Sequence, residues 1–257
     1  MNVAYAAGSE GISIHLSAPV LGHFFGIPVT STLIMVWTTI ILLTAFLIYM
    51  RPRLKLVPGK TQIAIEAMIG GAFDYMAQAL ESRALAQKFF PLIMSIFIFI
   101  LVLNWIGLVP GVNSIGIYSD SHGESVLIPF WYPANTDLNI TIALALVAFF
   151  AIEIAGIAAL GLWKYGGKFI NFSSPLNFLI GIIELFSELA RLVSFSFRLF
   201  GNIFAGKTLL VIAIFFVPYV LPVPLIAFEL FVGLIQAFIF AVLTLFFIKL
   251  AIAEPEH

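Results

Sequence analysis

Arg198 is the residue whose chemistry most constrains this chain. It lies in Ser194-Phe195-Ser196-Phe197-Arg198-Leu199-Phe200-Gly201-Asn202-Ile203-Phe204-Ala205-Gly206, inside a long apolar segment, with no acidic residue within nine positions on either side. An arginine at the centre of a membrane helix costs roughly 2.5–3.5 kcal/mol on insertion scales, and the guanidinium cannot shed its proton to escape that cost. It must face water, a partner protein or an acidic group from elsewhere. Residues three or four apart share a face of a helix. Reading back from Asn202 gives Arg198, Ser194, Arg191, Glu188 with Ser187, and Glu184, one polar stripe. A second segment carries Glu229 and, seven residues on, Gln236. Lys207 follows Arg198 by nine positions, so the spacing allows a Lys207–Glu229 contact and puts Gln236 near the level of Arg198. The Glu188–Arg191 pair taken alone is equally well read as an internal ion pair that orients a bundle. Gly201 and Ala205 form a small-xxx-small pair that admits a close neighbour, although ordinary helix packing also explains such a pair. A whole stripe ending in Arg198 points instead to an ion pathway.

Other chemistries lack their residues. No glycine-rich phosphate loop, no Ser/His/Asp set and no metal motif is present, and no cofactor is implied. Zero cysteines exclude disulfides, thiol catalysis and iron–sulfur ligation, and the four histidines (His15, His23, His122 and His257) are scattered. What remains is movement of a charge, most simply a proton, along carboxylates and amides.

The elements that must position these groups lie in a membrane. The 257 residues are 62% hydrophobic and only 10% charged, against about a quarter charged in soluble domains. A mean hydropathy of +1.12 and a net charge of −1 fit a polytopic all-α membrane protein and leave no case for nucleic acid. Residues 1–27 form a mildly polar segment without Lys or Arg, and no cleavable signal is expected. Residues 28–50 are an uncharged span followed by Arg51, Arg53, Lys55 and Lys60, which places the N-terminus outside. In residues 61–87, Ile65, Ile69, Phe73, Met76 and Leu80 recur at helical spacing. They read as an interfacial amphipathic helix or as one packed on a soluble partner. Spans at 89–110 and 138–162 flank an outer loop lacking Lys and Arg, and Lys164 and Lys168 mark the inner end. Residues 172–250 make two long, strongly tilted helices, turning at Pro218, Pro222 and Pro224, with Lys249 at the inner end. Residues 1–257 thus form a single domain of about five membrane helices plus one interfacial helix.

Three blocks now identify a resemblance. Phe197-Arg198-Leu199-Phe200-Gly201-Asn202 with Ala205-Gly206 resembles the signature of subunit a of F-type ATP synthases. So do Leu234-Ile235-Gln236-Ala237-Phe238-Ile239-Phe240-Ala241-Val242-Leu243-Thr244 and Pro133-Ala134-Asn135-Thr136-Asp137-Leu138-Asn139. The resemblance runs from the first span to the C-terminus.

It implies a stationary proton-channel subunit without catalysis of its own. The implied partners are a rotor ring of c subunits, b-type peripheral-stalk subunits, the rest of the ATP synthase and membrane lipid. By resemblance, Arg198 matches the arginine that meets the rotor carboxylate, Gln236 the glutamine on the facing helix, and Asn202 its polar neighbour. Glu184 matches an inner half-channel carboxylate, with Ser187, Glu188 and Ser194 beside it on the stripe. Lys207 and Glu229 fall at outer half-channel positions, where lysine replaces a histidine of some members, and Asp137 joins the outer side. Lysine ordinarily titrates above histidine unless desolvated, so Lys207 either relays protons or tunes Glu229. The expected location is a bacterial plasma membrane, favoured over a mitochondrial inner membrane, with the N-terminus outside and the C-terminus inside. The alternative reading is a secondary transporter or free-standing ion channel, although the internal repeat usual in transporters is not visible.

Overall fold

The computed structural model describes residues 18–121, 124–167, 169 and 174–253. Glu10, His15, His122, Lys168 and His257 lie outside the described residues. Among the described residues, five helices are long and apolar enough to cross a membrane.

A hairpin of β1 (Val20–Phe24) and β2 (Ile27–Thr30) precedes the first span, α1 (Ser31–Met50). Thr30 caps α1 by accepting a hydrogen bond from the Leu33 N–H at 3.2 Å, so the span starts three residues later than the apolar run suggests. After Arg51–Arg53 comes α2 (Lys60–Ala79), then α3 (Arg83–Ile106). The amphipathic segment expected over 61–87 is therefore shorter, and the span expected over 89–110 begins earlier. The break is local chemistry. Ser82 Oγ accepts the Leu85 N–H at 3.3 Å and starts a new helix, while Glu81 turns the chain with φ of 54°. Met76 and Leu80, both buried, anchor that corner.

The loop expected over 111–137 contains a second hairpin, β3 (Gly116–Ser121) paired antiparallel with β4 (Glu124–Pro129). Neither hairpin is expected from the all-helical reading. Each is a two-stranded ribbon between spans or before the first, and both leave the all-α architecture intact. Then α4 (Leu138–Leu160) is separated from the short α5 (Leu162–Gly167) by Gly161, whose φ of 82° only glycine adopts freely.

The last two helices are α6 (Pro175–Phe216) and α7 (Pro222–Ile252). At 42 residues α6 extends ten residues beyond Gly206, and at 1.5 Å per residue it is about twice the hydrocarbon thickness. Of the prolines expected in the turn, only Pro218 lies in it. Pro222 and Pro224 sit in the first turn of α7, where a missing N–H has no helical partner to lose.

By internal contacts the chain forms two compact units. The first comprises Met1–Arg51, Ile98–Thr141 and Arg198–Phe238; the second comprises Pro52–Phe97, Ile142–Phe197 and Ile239–His257. The first unit buries Met35, Ile100, Leu103 and Leu199 together with Ser31, Thr32, Asn104, Asn135, Asp137, Glu229 and Gln236. This polar core is hydrogen-bonded. Ser31 Oγ donates to the Pro129 carbonyl, Thr32 Oγ1 to Asp137 Oδ2 at 2.8 Å, and Trp131 Nε1 to Thr38 Oγ1 at 3.0 Å. Asp137 also accepts the Asn139 N–H at 3.0 Å, so it caps α4 while it holds α1. The second unit packs Phe89, Ile93, Ile152, Phe195, Phe240, Leu245 and Ile248. Among the described residues it buries only Glu188, Ser196 and Thr244 as polar side chains. There, Lys249 Nζ meets Glu81 Oε1 at 2.7 Å, and this bond and charge hold the Glu81 carboxyl below its ordinary value of 4.5.

Two outcomes are expected. Thr32→Val leaves a buried carboxylate oxygen without its donor, a loss of about 1.5–3 kcal/mol for a charged hydrogen bond, read as a lower unfolding temperature of the purified complex. A carboxyl lowered on folding contributes stability above its unfolded value and loses it as the pH falls through the folded value. At neutral pH, Glu81→Gln should therefore raise hydrogen exchange in residues 80–86. Well below pH 4.5 it should match the parent protein.

Candidate functional site

In the second unit, α6 contributes the lower half of the polar stripe. Arg191 Nη1 donates to Glu188 Oε2 at 2.6 Å, with side chains 17% and 5% exposed. The Arg191 guanidinium also lies 3.9 Å from the centroid of Phe247, which meets Phe195 edge-on. The i,i+3 spacing predicts the ion pair. The aromatic bed beneath it comes from α7 and carries no sequence signal. Glu184 is half-buried, and Ser187 and Ser194 are exposed, the Ser187 hydroxyl donating to its own helix at Ile183 O, 2.9 Å away. Tyr165 of α5 is buried and interacts with Glu153. Burial first, and the Glu153 charge second, push its hydroxyl above the ordinary tyrosine value of 10.0.

In the first unit, Arg198 is half-buried on α6. One turn on, Asn202 Nδ2 donates to Gln236 Oε1 at 2.6 Å, joining α6 to α7. Gln236 is 2% exposed, and its Nε2 has no hydrogen-bond partner among the described residues. A buried amide donor left open in this way is expensive and suits a site that water or a partner completes. Around Arg198, Asn202 and Ala205 are exposed and Gly201 half-exposed, so α6 presents a low, polar, small-residue surface there.

Further along, Lys207 and Glu229 line one cavity of about 320 Å³ together with Asn104, Pro133, Ile203 and Leu210. They do not form the contact that their spacing allows. Lys207 Nζ is buried without a hydrogen-bond partner among the described residues and sits 3.1 Å from the centroid of the Tyr132 ring. Glu229, 5% exposed, lies against Gly206 so closely that a Cβ there would overlap its carboxylate. The missing side chain at Gly206 thus admits an acid between two helices. Asn104 Nδ2 donates to Gly233 O at 3.0 Å on the same helix as Glu229, and Asn135 Nδ2 donates to Asn104 Oδ1 at 2.7 Å. Asp137 does not line the cavity; its two oxygens are engaged by Thr32 and Asn139.

The structure therefore joins Glu188 with Arg191 and Asn202 with Gln236, and puts Lys207 and Glu229 in one cavity. It adds Tyr132, Asn104 and Asn135, which sequence reading does not select. A buried asparagine in an apolar span is a usable signal, and Asn104 stands in one. Tyr132 gives none, since aromatic residues near a membrane interface are common.

The chain matches the family described as ATP synthase A chain over residues 32–249. It is 34% identical over 205 residues to ATP synthase subunit a of Campylobacter curvus (strain 525.92), covering 80% of this chain and 83% of that one. It is 36% identical over 224 residues to ATP synthase subunit a of Mycobacterium ulcerans (strain Agy99), covering 85% and 84%. With ATP synthase subunit a of Moorella thermoacetica (strain ATCC 39073 / JCM 9320) the identity is 30% over 234 residues, covering 91% and 96%. With five apolar helices among the described residues, a polar pair joining the last two and this match across most of its length, the chain belongs to the ATP synthase A chain family.

Proposed function

We propose that the chain is the stationary proton channel of an F-type ATP synthase, providing two half-channels that lead to and from the carboxylates of a rotating c-ring. The observation that carries this reading is the half-buried Arg198 beside the Asn202–Gln236 bond, on a stretch of α6 where Gly201, Asn202 and Ala205 leave room for a neighbour. The partners are the c-ring, b-type peripheral-stalk subunits and the rest of the synthase. The bacterial sources of the similar proteins support a bacterial plasma membrane, and the basic residues after α1 support an N-terminus outside and a C-terminus inside.

A rotor carboxylate crossing lipid has to be neutral, because a bare charge there is prohibitive. At about 4 Å and an effective dielectric near 20, a guanidinium favours the ionised carboxylate by roughly 4 kcal/mol. A protonated rotor site arriving beside Arg198 releases its proton to the inner path, for which Glu184, Ser187, Glu188 and Ser194 are the candidates. The ionised site passes the arginine and is reloaded through the outer path, where Glu229 takes the proton, Lys207 sets its electrostatic surroundings and Asp137 fixes the neighbouring wall. Gln236 and Asn202 hold the helices at the spacing in which Arg198 reaches the rotor. Because Arg198 keeps its charge, it repels protons and blocks a direct leak between the paths. The membrane potential contributes about 2.3 kcal/mol per charge per 100 mV to each transit.

Arg198→Ala or Arg198→Gln should abolish proton-driven ATP synthesis in complexes that still assemble; full coupled synthesis by the alanine variant would overturn the mechanism. Glu229→Gln should slow proton entry from the outer side in reconstituted vesicles. Unchanged flux across about pH 6–9, the range over which perturbed carboxyl and amine groups change charge, would remove Glu229 from the path.

A further inference from the structure

We propose that Tyr132 is a positioning residue that holds the Lys207 ammonium away from Glu229, so that the Glu229 carboxylate stays open to the cavity. This inference rests on the reading of Glu229 as the outer proton acceptor and deepens it.

Three observations meet here. Lys207 and Glu229 line the same cavity of about 320 Å³, so a four-carbon lysine arm has room to cross to the carboxylate. An oppositely charged group inside a poorly solvated site is the strongest partner that a lysine can find. Yet the ammonium is elsewhere: Nζ lies 3.1 Å from the centroid of the Tyr132 ring and makes no hydrogen bond among the described residues. A buried ammonium without acceptors is tolerable only if something else offsets its lost hydration, and the negative face of an aromatic ring does so. Tyr132 is itself buried, 8% exposed, between Trp131, which bonds Thr38 of α1, and the Pro133–Asp137 turn that caps α4. A buried ring in that turn has fewer rotamers open to it than a four-carbon lysine arm.

The consequence is chemical. A carboxylate locked in an ion pair holds its negative charge firmly and accepts a proton poorly. With Lys207 seated on the ring, Glu229 shares the cavity with the amine without being bonded to it. The other groups facing this cavity are the amides of Asn104 and Asn113, which carry no charge. Tyr132 thus decides whether Lys207 modulates Glu229 or blocks it.

The test uses the whole synthase reconstituted in vesicles, with proton flux as the readout. Tyr132→Leu should lower the flux about tenfold, and Tyr132→Phe, which keeps the ring, should stay within about twofold of the parent, magnitudes in keeping with a cation–π contact in a desolvated site. In a Lys207→Met background, Tyr132→Leu should bring no further loss, because the blocking amine is gone. Equal losses from Tyr132→Leu in both backgrounds, or a phenylalanine variant as slow as the leucine one, would overturn the proposal. Placing increasingly fluorinated phenylalanines at position 132 keeps the shape and weakens the ring face. Flux should fall stepwise along that series, and a flat series would also overturn it. Glu229→Gln, measured in parallel, separates the two levels. If it lowers flux while the position-132 variants do not, only the positioning role fails. If it leaves flux unchanged, the outer-path reading fails and takes the positioning role with it.

Discussion

The physical constraint on which everything else here depends is a guanidinium that cannot lose its charge, placed in a helix built to lie in hydrocarbon. A lipid-facing position for Arg198 is ruled out on cost, so the surrounding structure has to supply polarity or a partner. The first unit buries several amides and carboxylates: Asn104, Asn135, Asp137, Glu229 and Gln236 are all buried there. Each needs hydrogen-bond partners, and the network of Thr32, Asn139, Gly233 and Asn202 provides most of them. Among the described residues of this unit, the buried polar side-chain atoms left without a hydrogen-bond partner are Asn135 Oδ1, Gln236 Nε2 and Lys207 Nζ.

Charge is managed in three distinct ways along α6. Arg191 is matched locally by Glu188 and by the Phe247 face. Lys207 is matched by the Tyr132 face alone among the described residues. Arg198 is set on a surface of small and polar residues where a rotor carboxylate can reach it under the proposed mechanism. The first arrangement pairs the cation with an acid on its own helix, and the second seats it on a ring face. The proposed mechanism needs the third cation to be reachable from outside the chain, as an electrostatic gate requires.

Much of this is legible in the sequence, and the exceptions share a cause. The five spans follow from apolar runs longer than the hydrocarbon, and the stripe on α6 follows from helical spacing. Where a single side chain intervenes, the pattern misleads: Ser82 starts α3 inside what reads as one amphipathic helix, and Thr30 delays α1. The two hairpins are short, and residues such as Ser119, Asp120 and Ser121 read as loop. Asn202 and Gln236 each stand out by polarity, but their mutual bond depends on the rotation of α7 about its axis, which spacing alone does not give. For Lys207 and Glu229, spacing gives the shared depth but not the absence of contact, because the competing partner, Tyr132, is distant in sequence and carries no charge.

The central claim, that the Arg198 surface of α6 faces a rotor carboxylate, is tested most directly by cross-linking. The chain contains no cysteine, so single cysteines at Asn202 and Ala205 report without background. Paired with cysteines flanking the rotor carboxylate in the assembled synthase, they are expected to form disulfides on oxidation, whereas Leu199→Cys, buried in the first unit, is not. Absence of rotor cross-links from Asn202 and Ala205 in a complex that still makes ATP would contradict the account.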